Sequence, residues 1–428
     1  MLVADVNARQ VFSLLLVAGA LPLAAQAPAL PNWLKFSGEI RGRGEWLTGI
    51  GYVSGNGDGY YLHRLRLNAA IQPLPWLQMT LQAQDSQAPA VRKPAPASAV
   101  NTLDLKQGYV VAGGRASDAW ELRAGRQELA FGEDRLIGIG VWGNVGRSFD
   151  AVRITLRSSG FRADAFSGAV VTPIPGRFDR PHFNNKIHGV YLSSESWVKR
   201  ATLQPYWFLK THSRARDEGG SWGNLRVHTA GVRWVGKLPR RWDYNLETAF
   251  QAGHQARDAI RAWAGHWQAG CTPGAGARPL RLLFEYNFAS GDRRPGDGRR
   301  NTFDQLYPTN HFYFGTADLV GWRNIHHLMS GVEWRLSKTL RLRTDYHSFW
   351  LASREDALYN DGGAVVVRNP RASSSHIGQE FDCWLIWRYS ERLQLGAGAG
   401  RLRPGRFLKE STPGAAFTYP YIQWQYSF

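Results

Sequence analysis

Apolar and polar residues alternate one by one along much of this chain. In "LKFSGEIRGR", Leu34 to Arg43, Leu34, Phe36 and Ile40 share one face with two glycines, and Lys35, Ser37, Glu39, Arg41 and Arg43 share the other. "HRLRLNAAI", His63 to Ile71, sets Leu65, Leu67, Ala69 and Ile71 against Arg64, Arg66 and Asn68. "AVRITLR", Ala151 to Arg157, and "TLRLRTDYHSFW", Thr339 to Trp350, repeat the pattern, with Arg153, Thr155 and Arg157, and then Arg341, Arg343, Asp345 and His347, on the polar side. A period of two is the strand period, so each segment predicts a β-strand with two chemically different faces.

Extended over the chain, the pattern gives about 18 candidate strands of roughly 9 to 13 residues, the length with which a tilted strand crosses a bilayer. They are expected to begin near residues 33, 60, 76, 102, 119, 149, 160, 186, 201, 224, 241, 259, 279, 322, 339, 376, 391 and 416. Short links such as Ser158 to Gly160 and Leu336 to Thr339 mostly alternate with long ones: Leu47 to Gly59, Asp85 to Asn101, Leu129 to Arg147, Thr172 to Asn185, Gly291 to Gly321 and Ala352 to Ser375. Long links mainly follow odd strands, which sorts them to one end of a sheet. A soluble sandwich or propeller would alternate too, but it needs no such sorting. The expected fold is therefore all-β: a transmembrane antiparallel β-barrel with short periplasmic turns and long extracellular loops. The last segment, "PYIQWQYSF", alternates to the end and closes on Phe428, which looks like the terminal pattern of bacterial outer-membrane barrels.

Composition agrees. Gly at 46 and Trp at 18 are high, as suits tight turns and half-buried pleated surfaces. The apolar run Val11 to Ala25 lies behind Arg9 and ahead of "AQA", so residues 1–27 are expected to be a signal peptide and 28–428 a single barrel domain in the outer membrane of a Gram-negative bacterium. Beyond residue 30 no apolar run is long enough for a spanning helix. Cys271 and Cys383 lie far apart in strand-like segments and read as free thiols in a wall.

Net charge is +18. In an exported barrel its partners are anionic lipid, lipopolysaccharide or an anionic solute rather than nucleic acid. If apolar residues face lipid, the alternating arginines must face the lumen, because one at the bilayer midplane on the lipid face costs about 2–4 kcal/mol. Arg41, Arg43, Arg64, Arg66, Lys106, Arg123, Arg153, Arg157, Arg162, Lys210, Arg341 and Arg343 are the expected lining. Glu39, Asp104, Asp164, Asp345, Glu380 and Asp382 share their parity, so the wall is a mixed ladder with a positive excess. Any one arginine could equally be neutralising a wall carboxylate. Guanidinium groups match carboxylates bidentately, and a basic excess raises anion occupancy in a pore.

"LRAGRQELAFGEDRLIGIGVWGNVGRSFDAVRI", Leu122 to Ile154, and "FASGDRRPGDGRRNTFDQLYPTNHFYFGTADLVGWRNI", Phe288 to Ile325, resemble the alginate export family of outer-membrane proteins. The resemblance spans essentially the whole chain after the signal. It implies an 18-stranded monomeric barrel whose arginine-rich constriction passes an anionic polysaccharide outward, with Arg41, Arg66, Arg123, Arg126 and Arg153 as the matching positions. Periplasmic export components are implied partners, and no cofactor or metal is. Arg126 breaks the parity of Arg123, Gly125 and Gln127, so it requires a bulge or a place at the rim. The acids Glu128, Glu133 and Asp134 are expected to hold Arg126, Arg135 or Arg147.

An enzyme reading finds little support. His347 and Ser348, like His326 and His327, are adjacent in strands and must point to opposite faces. The expected function is passive passage of an anionic polysaccharide or oligosaccharide. The alternatives are an uptake porin for small carboxylates, and an adhesin whose barrel is plugged.

Overall fold

The computed structural model describes residues 30–89, 98–114, 119–274, 276 and 278–428. The expected signal peptide lies outside the described residues. The chain runs through β1 (Leu34–Thr48), β2 (Gly57–Leu74), β3 (Leu77–Gln87), β4 (Asn101–Gly113), β5 (Trp120–Gln127), β6 (Phe149–Ser158) and β7 (Phe161–Thr172). It continues as β8 (Arg180–Ser194), β9 (Ala201–Arg216), β10 (Trp222–Leu238), β11 (Trp242–Gln255), β12 (Asp258–Cys271) and β13 (Leu280–Ala289). A two-residue strand, β14 (Arg299–Arg300), precedes β15 (Ile325–Arg335) and β16 (Leu340–Leu351). A small hairpin, β17 (Ala357–Tyr359) and β18 (Val365–Arg368), precedes β19 (His376–Arg388), β20 (Leu393–Pro404) and β21 (Phe417–Ser427), with a short helix, α1 (Arg406–Ser411), before the last strand.

Apart from β14, β17 and β18, each strand pairs antiparallel with its chain neighbour, and β1 pairs with both β2 and β21. The sheet therefore closes on itself as an 18-stranded barrel with no free edge. The seam is built around Gly38. Its N–H donates to the Phe428 carbonyl at 2.8 Å, and a β-carbon there would strike the Phe428 ring at 2.3 Å.

Alternation places Phe36, Leu67, Met79, Leu81, Val152, Ile154, Leu156, Phe250, Trp263, Phe284 and Phe381 on the outside, exposed. Residues of the opposite parity are buried inside, among them Arg41, Arg64, Gln82, Thr155, Glu285 and Glu380. An apolar outer face is stable because lipid covers it. The polar inner face must find its partners within the barrel. Cys271 and Cys383 are free.

Most strands begin within three residues of their expected positions. β8 is the exception, starting at Arg180 rather than near 186, where Pro181 and the Asn184–Asn185 pair interrupt alternation and the register against β7 shifts at Ala169/Val170. Several strands are longer than a bilayer requires: β2 has 18 residues and β10 has 17, so both stand well clear of the membrane.

Candidate functional site

Two of the long connections fold into the barrel. They are 128–148, between β5 and β6, and 290–324, between β13 and β15. Inside they lock to each other: Tyr307 N donates to Leu136 O at 2.8 Å, Gly138 N to Tyr307 O at 2.9 Å, and Thr309 N to Asp134 O at 2.8 Å. Arg147 Nη1 donates to the carbonyls of Gly138, Tyr307 and Pro308 at 2.8, 2.6 and 3.1 Å, tying both loops through one guanidinium. The Trp142 ring stacks on His311 at 3.9 Å.

One arc of the wall grips this pair through cations. Arg41 donates to Val141 O at 3.0 Å, Gly143 O at 3.1 Å and Asn144 Oδ1 at 3.2 Å. Arg43 donates to Trp142 O at 2.8 Å and lies 3.8 Å from the centre of the Trp142 ring, with Glu45 as its ion-pair partner. Arg64 bridges Glu39 and Gly143 O, and Arg66 reaches Gln84 at 2.6 Å. Asn144, itself buried, donates to the carbonyls of His63, Gln87 and Ala99, which fixes the loop against β2 and the β3–β4 connection. Carbonyl oxygens are the right acceptors here, since Arg offers donors only.

The opposite arc grips through acids and histidines. Arg135, fully buried, meets Glu285 on β13 at 3.2 Å and Glu133 at 3.2 Å. From Glu285 a buried chain runs across neighbouring strands: Asn287 Nδ2 to Glu285 at 2.7 Å, Asn287 to His327 at 2.9 Å, His327 to His347 at 2.9 Å, and His347 to Asp382 at 3.3 Å. It ends on the second loop, whose Thr316 and Ala317 amides donate to Asp382 and Glu380, each at 2.8 Å. Nearby, Lys210 holds Asp304 at 2.8 Å. Burial alone would raise the Asp304 carboxyl, but Lys210 and Arg323 hold it down at about 2. Between the arcs an aromatic stack of Phe166, Tyr191, Tyr206 and Phe208 seats Phe131 from the first loop, with Phe131 and Phe166 centroids 4.8 Å apart.

Below the loops, towards the short turns, a cavity of about 510 Å³ is lined by Arg200, Arg233, Lys237 and Arg281 together with Glu133, Glu195 and Asp243. On the basic side of this level Arg123 and Arg157 share Glu121 at 3.0 and 2.6 Å, and Arg153 and Arg162 share Asp164 at 2.9 and 2.8 Å.

The alginate export family model matches residues 32–420. The chain belongs to the alginate export family. No curated protein matches it. Among solved structures it is similar to the outer-membrane protein OpdK of Pseudomonas aeruginosa, with 12% identity, TM-score 0.57 and coverage of 92% of this chain and 99% of that one. It is also similar to a BenF-like porin of Pseudomonas fluorescens, at 11% identity, TM-score 0.60 and 93% and 99% coverage. Pseudomonas putida OprB gives 10%, 0.51 and 92% and 94%. This alginate export family member is thus a porin-like barrel of the Gram-negative outer membrane.

In this family member the sequence-expected residues fall into three groups. Glu39, Arg41, Arg43 and Arg64 meet under the first loop, and Arg66 stands beside them, with Lys106 also near Glu128 at 3.6 Å. Arg123, Arg153 and Asp164 lie nearer the short turns, and across the barrel Arg343 pairs with Asp345 at 3.0 Å while Arg341 is exposed at the short-turn end. Arg126 stands apart at the rim. Gly125, at φ 125, turns the strand there, and Arg126 binds Asp150 at 2.8 Å and Asp179 O at 3.1 Å, close to Asp104 at 4.0 Å. Arg126 is therefore held by Asp150 rather than by Glu128, Glu133 or Asp134. Of those three acids, Glu133 pairs with Arg135 as expected, and Arg147 spends its donors on carbonyls. His326 and His327 do diverge, the first towards Tyr286 and the second into the buried chain. Asn144, Glu285, Asn287 and the His327–His347 pair carry the loops but have no local sequence signature. Inward parity is the one sign that Glu285, Asn287, His327 and His347 share, and Asn144, in a loop, has none.

Proposed function

We propose that the protein passes carboxylated saccharides, as oligosaccharide or polysaccharide, passively across the outer membrane along its basic arc. The observation that carries this is the set of inward guanidinium groups on one side of the barrel, from Arg123, Arg153, Arg157 and Arg162 on β5–β7 near the short turns to Arg41, Arg43, Arg64 and Arg66 on β1 and β2 under the first loop. All but Arg41, which loop carbonyls hold, already face a carboxylate, so a passing anion exchanges with that partner instead of meeting a bare charge. Such sites are numerous and individually weak, which lets an anion enter and leave. Glu39, Glu121 and Asp164 serve as those exchangeable wall partners, while Asp104 stands with Arg126 at the rim. Arg341 and Arg343 extend the positive lining across the short-turn mouth, and Arg126 stabilises the rim. The barrel closes on one chain, and we assign the working unit as a monomer, fed by periplasmic export components.

A second reading, uptake of small carboxylates, is favoured by the mutual locking of the two loops and by a cavity of about 510 Å³. Swelling of liposomes containing the protein, with mono-, di- and longer uronates, separates the two. Entry of the longer uronates is expected. Entry of the monomer alone would replace the saccharide reading by the second, and entry of none would overturn both.

A further inference from the structure

Three rows of outward side chains run in register across β8–β12. The first is apolar: Val190, Trp207, Ala230, Phe250 and Trp263 are successive cross-strand partners, and all are exposed. One step towards the long loops the row is His188, Leu209, His228, Ala252 and Arg261. One step further it is Lys186, Thr211, Arg226 and His254. The chain neighbours Ile187, Val227 and Ile260 are buried on the inner face, so Lys186, Arg226 and Arg261 point outward. The Trp207 and His228 rings, 5.7 Å apart, join the apolar row to the polar one. No position in these rows is acidic, and among the described residues no carboxylate forms an ion pair with Lys186, Arg226 or Arg261. The long-loop end of β2 and β3 differs, for there the outward pair is His63 and Asp85, 3.8 Å apart, so an acid stands beside the histidine.

Cations on the outer wall are costly at the midplane and tolerated at the interface, so their level marks the headgroup layer of the outer leaflet. We propose that this face binds the phosphorylated headgroup of lipopolysaccharide. The acyl chains lie along Val190, Trp207, Phe250 and Trp263. The phosphates sit on Lys186, Arg226 and Arg261, with His188, His228 and His254 offering further N–H donors. The lipid chemistry follows from continuity: the basic rows begin where the lipid-covered apolar row ends, and their charge is opposite to that of a phosphate layer.

The test is native mass spectrometry of the full-length folded barrel in detergent, titrated with purified bisphosphorylated lipid A and with fully dephosphorylated lipid A. The bisphosphorylated form is expected to bind and the dephosphorylated form to bind far more weakly. Replacing all three cations (Lys186→Gln, Arg226→Gln, Arg261→Gln) is expected to weaken binding about a hundredfold, at roughly fivefold per interfacial cation. Arg401→Gln with Arg403→Gln, exposed on the outer face of β20, is expected to leave it unchanged. Heat-modifiable gel migration reports folding of each variant. Should the triple variant not fold, Arg226→Gln alone is expected to weaken binding about fivefold. Equal binding of dephosphorylated lipid A, native binding by the substituted face, or an equal loss in the β20 variant would overturn the proposal.

Discussion

On the β1–β2 side of the barrel, Arg41, Arg43 and Arg64 donate to carbonyl oxygens of the first loop; on the β13–β19 side, Glu285 receives Arg135, and Glu380 and Asp382 receive backbone amides of the second. The two loops are thus suspended between walls of opposite polarity, carbonyls towards the cations and donors towards the acids. The difference teaches that the basic arc has two tasks, holding a loop and presenting positive charge, whereas the acid–histidine arc has one. Weakening the two arcs should therefore move conductance in the same direction and ion selectivity in opposite directions.

The largest effect is expected from Glu285→Leu. It leaves Arg135, which is 1% exposed, with Glu133 as its remaining acid, and losing one partner of a buried ion pair costs up to about 3–5 kcal/mol. Loop 128–148 should come free on that side, raising single-channel conductance, exposing the loop to protease and strengthening anion preference. Native conductance and protease resistance would show that Glu285 does not hold the loop. Arg41→Gln with Arg43→Gln comes next. Each charged hydrogen bond to a loop carbonyl contributes about 1.5–3 kcal/mol, and Gln retains part of it. Conductance should rise less, and anion preference should fall; a rise in anion preference would break the contrast between the arcs.

Arg123→Gln with Arg157→Gln touches neither loop. These partly exposed pairs with Glu121 contribute at most about 1 kcal/mol to stability, so unfolding in urea should be almost unchanged while anion preference drops. A change in conductance as large as that of the Arg41 and Arg43 variant would remove the distinction between anchor and vestibule. The smallest effect is that of pH. Burial and neighbouring carboxylates push Asp361, in the β17–β18 hairpin where its carbonyl accepts from Gln305 and Asn310 of the second loop, up to about 7, and Asp134 of the first loop up to about 6. Both bind a proton more tightly in the packed loops than when free, so their stabilising contribution is complete below their ordinary value of 3.8 and is lost as pH rises through 6 and 7. His311, which burial holds well below 6.5, opposes this in the more acidic part of the range. Openings should be more frequent at pH 8 than at pH 5, and Asp361→Asn should shrink the difference. An undiminished difference in that variant would clear Asp361 of any part in it.

The wall was legible and its contents were not. Alternation in Leu34 to Arg43 and Thr339 to Trp350 located strands because lipid on one side and polar partners on the other impose a strict period of two. It failed at the start of β8, where Pro181 and two asparagines break the period before the strand does. The strand β14 and the β17–β18 hairpin escaped because short strands inside loops carry too few residues for a period to show. The inward placement of Arg41, Arg43, Arg64 and Arg153 followed from parity. Their partners did not, because Val141, Trp142 and Gly143 are engaged through backbone carbonyls, which every residue has. Arg135 is the sharpest case. Its strand partner, Glu285, is 150 residues away, and only the closed register brings the two together.

The most direct measurement of the central claim is the reversal potential of the protein in a planar bilayer under a salt gradient, read for the native chain and for one in which Arg41, Arg43, Arg123 and Arg157 are all Gln. Anion selectivity in the native chain, moving towards cation selectivity in the variant, is the predicted result. A cation-selective native channel, or a reversal potential unmoved by the four substitutions, would contradict it.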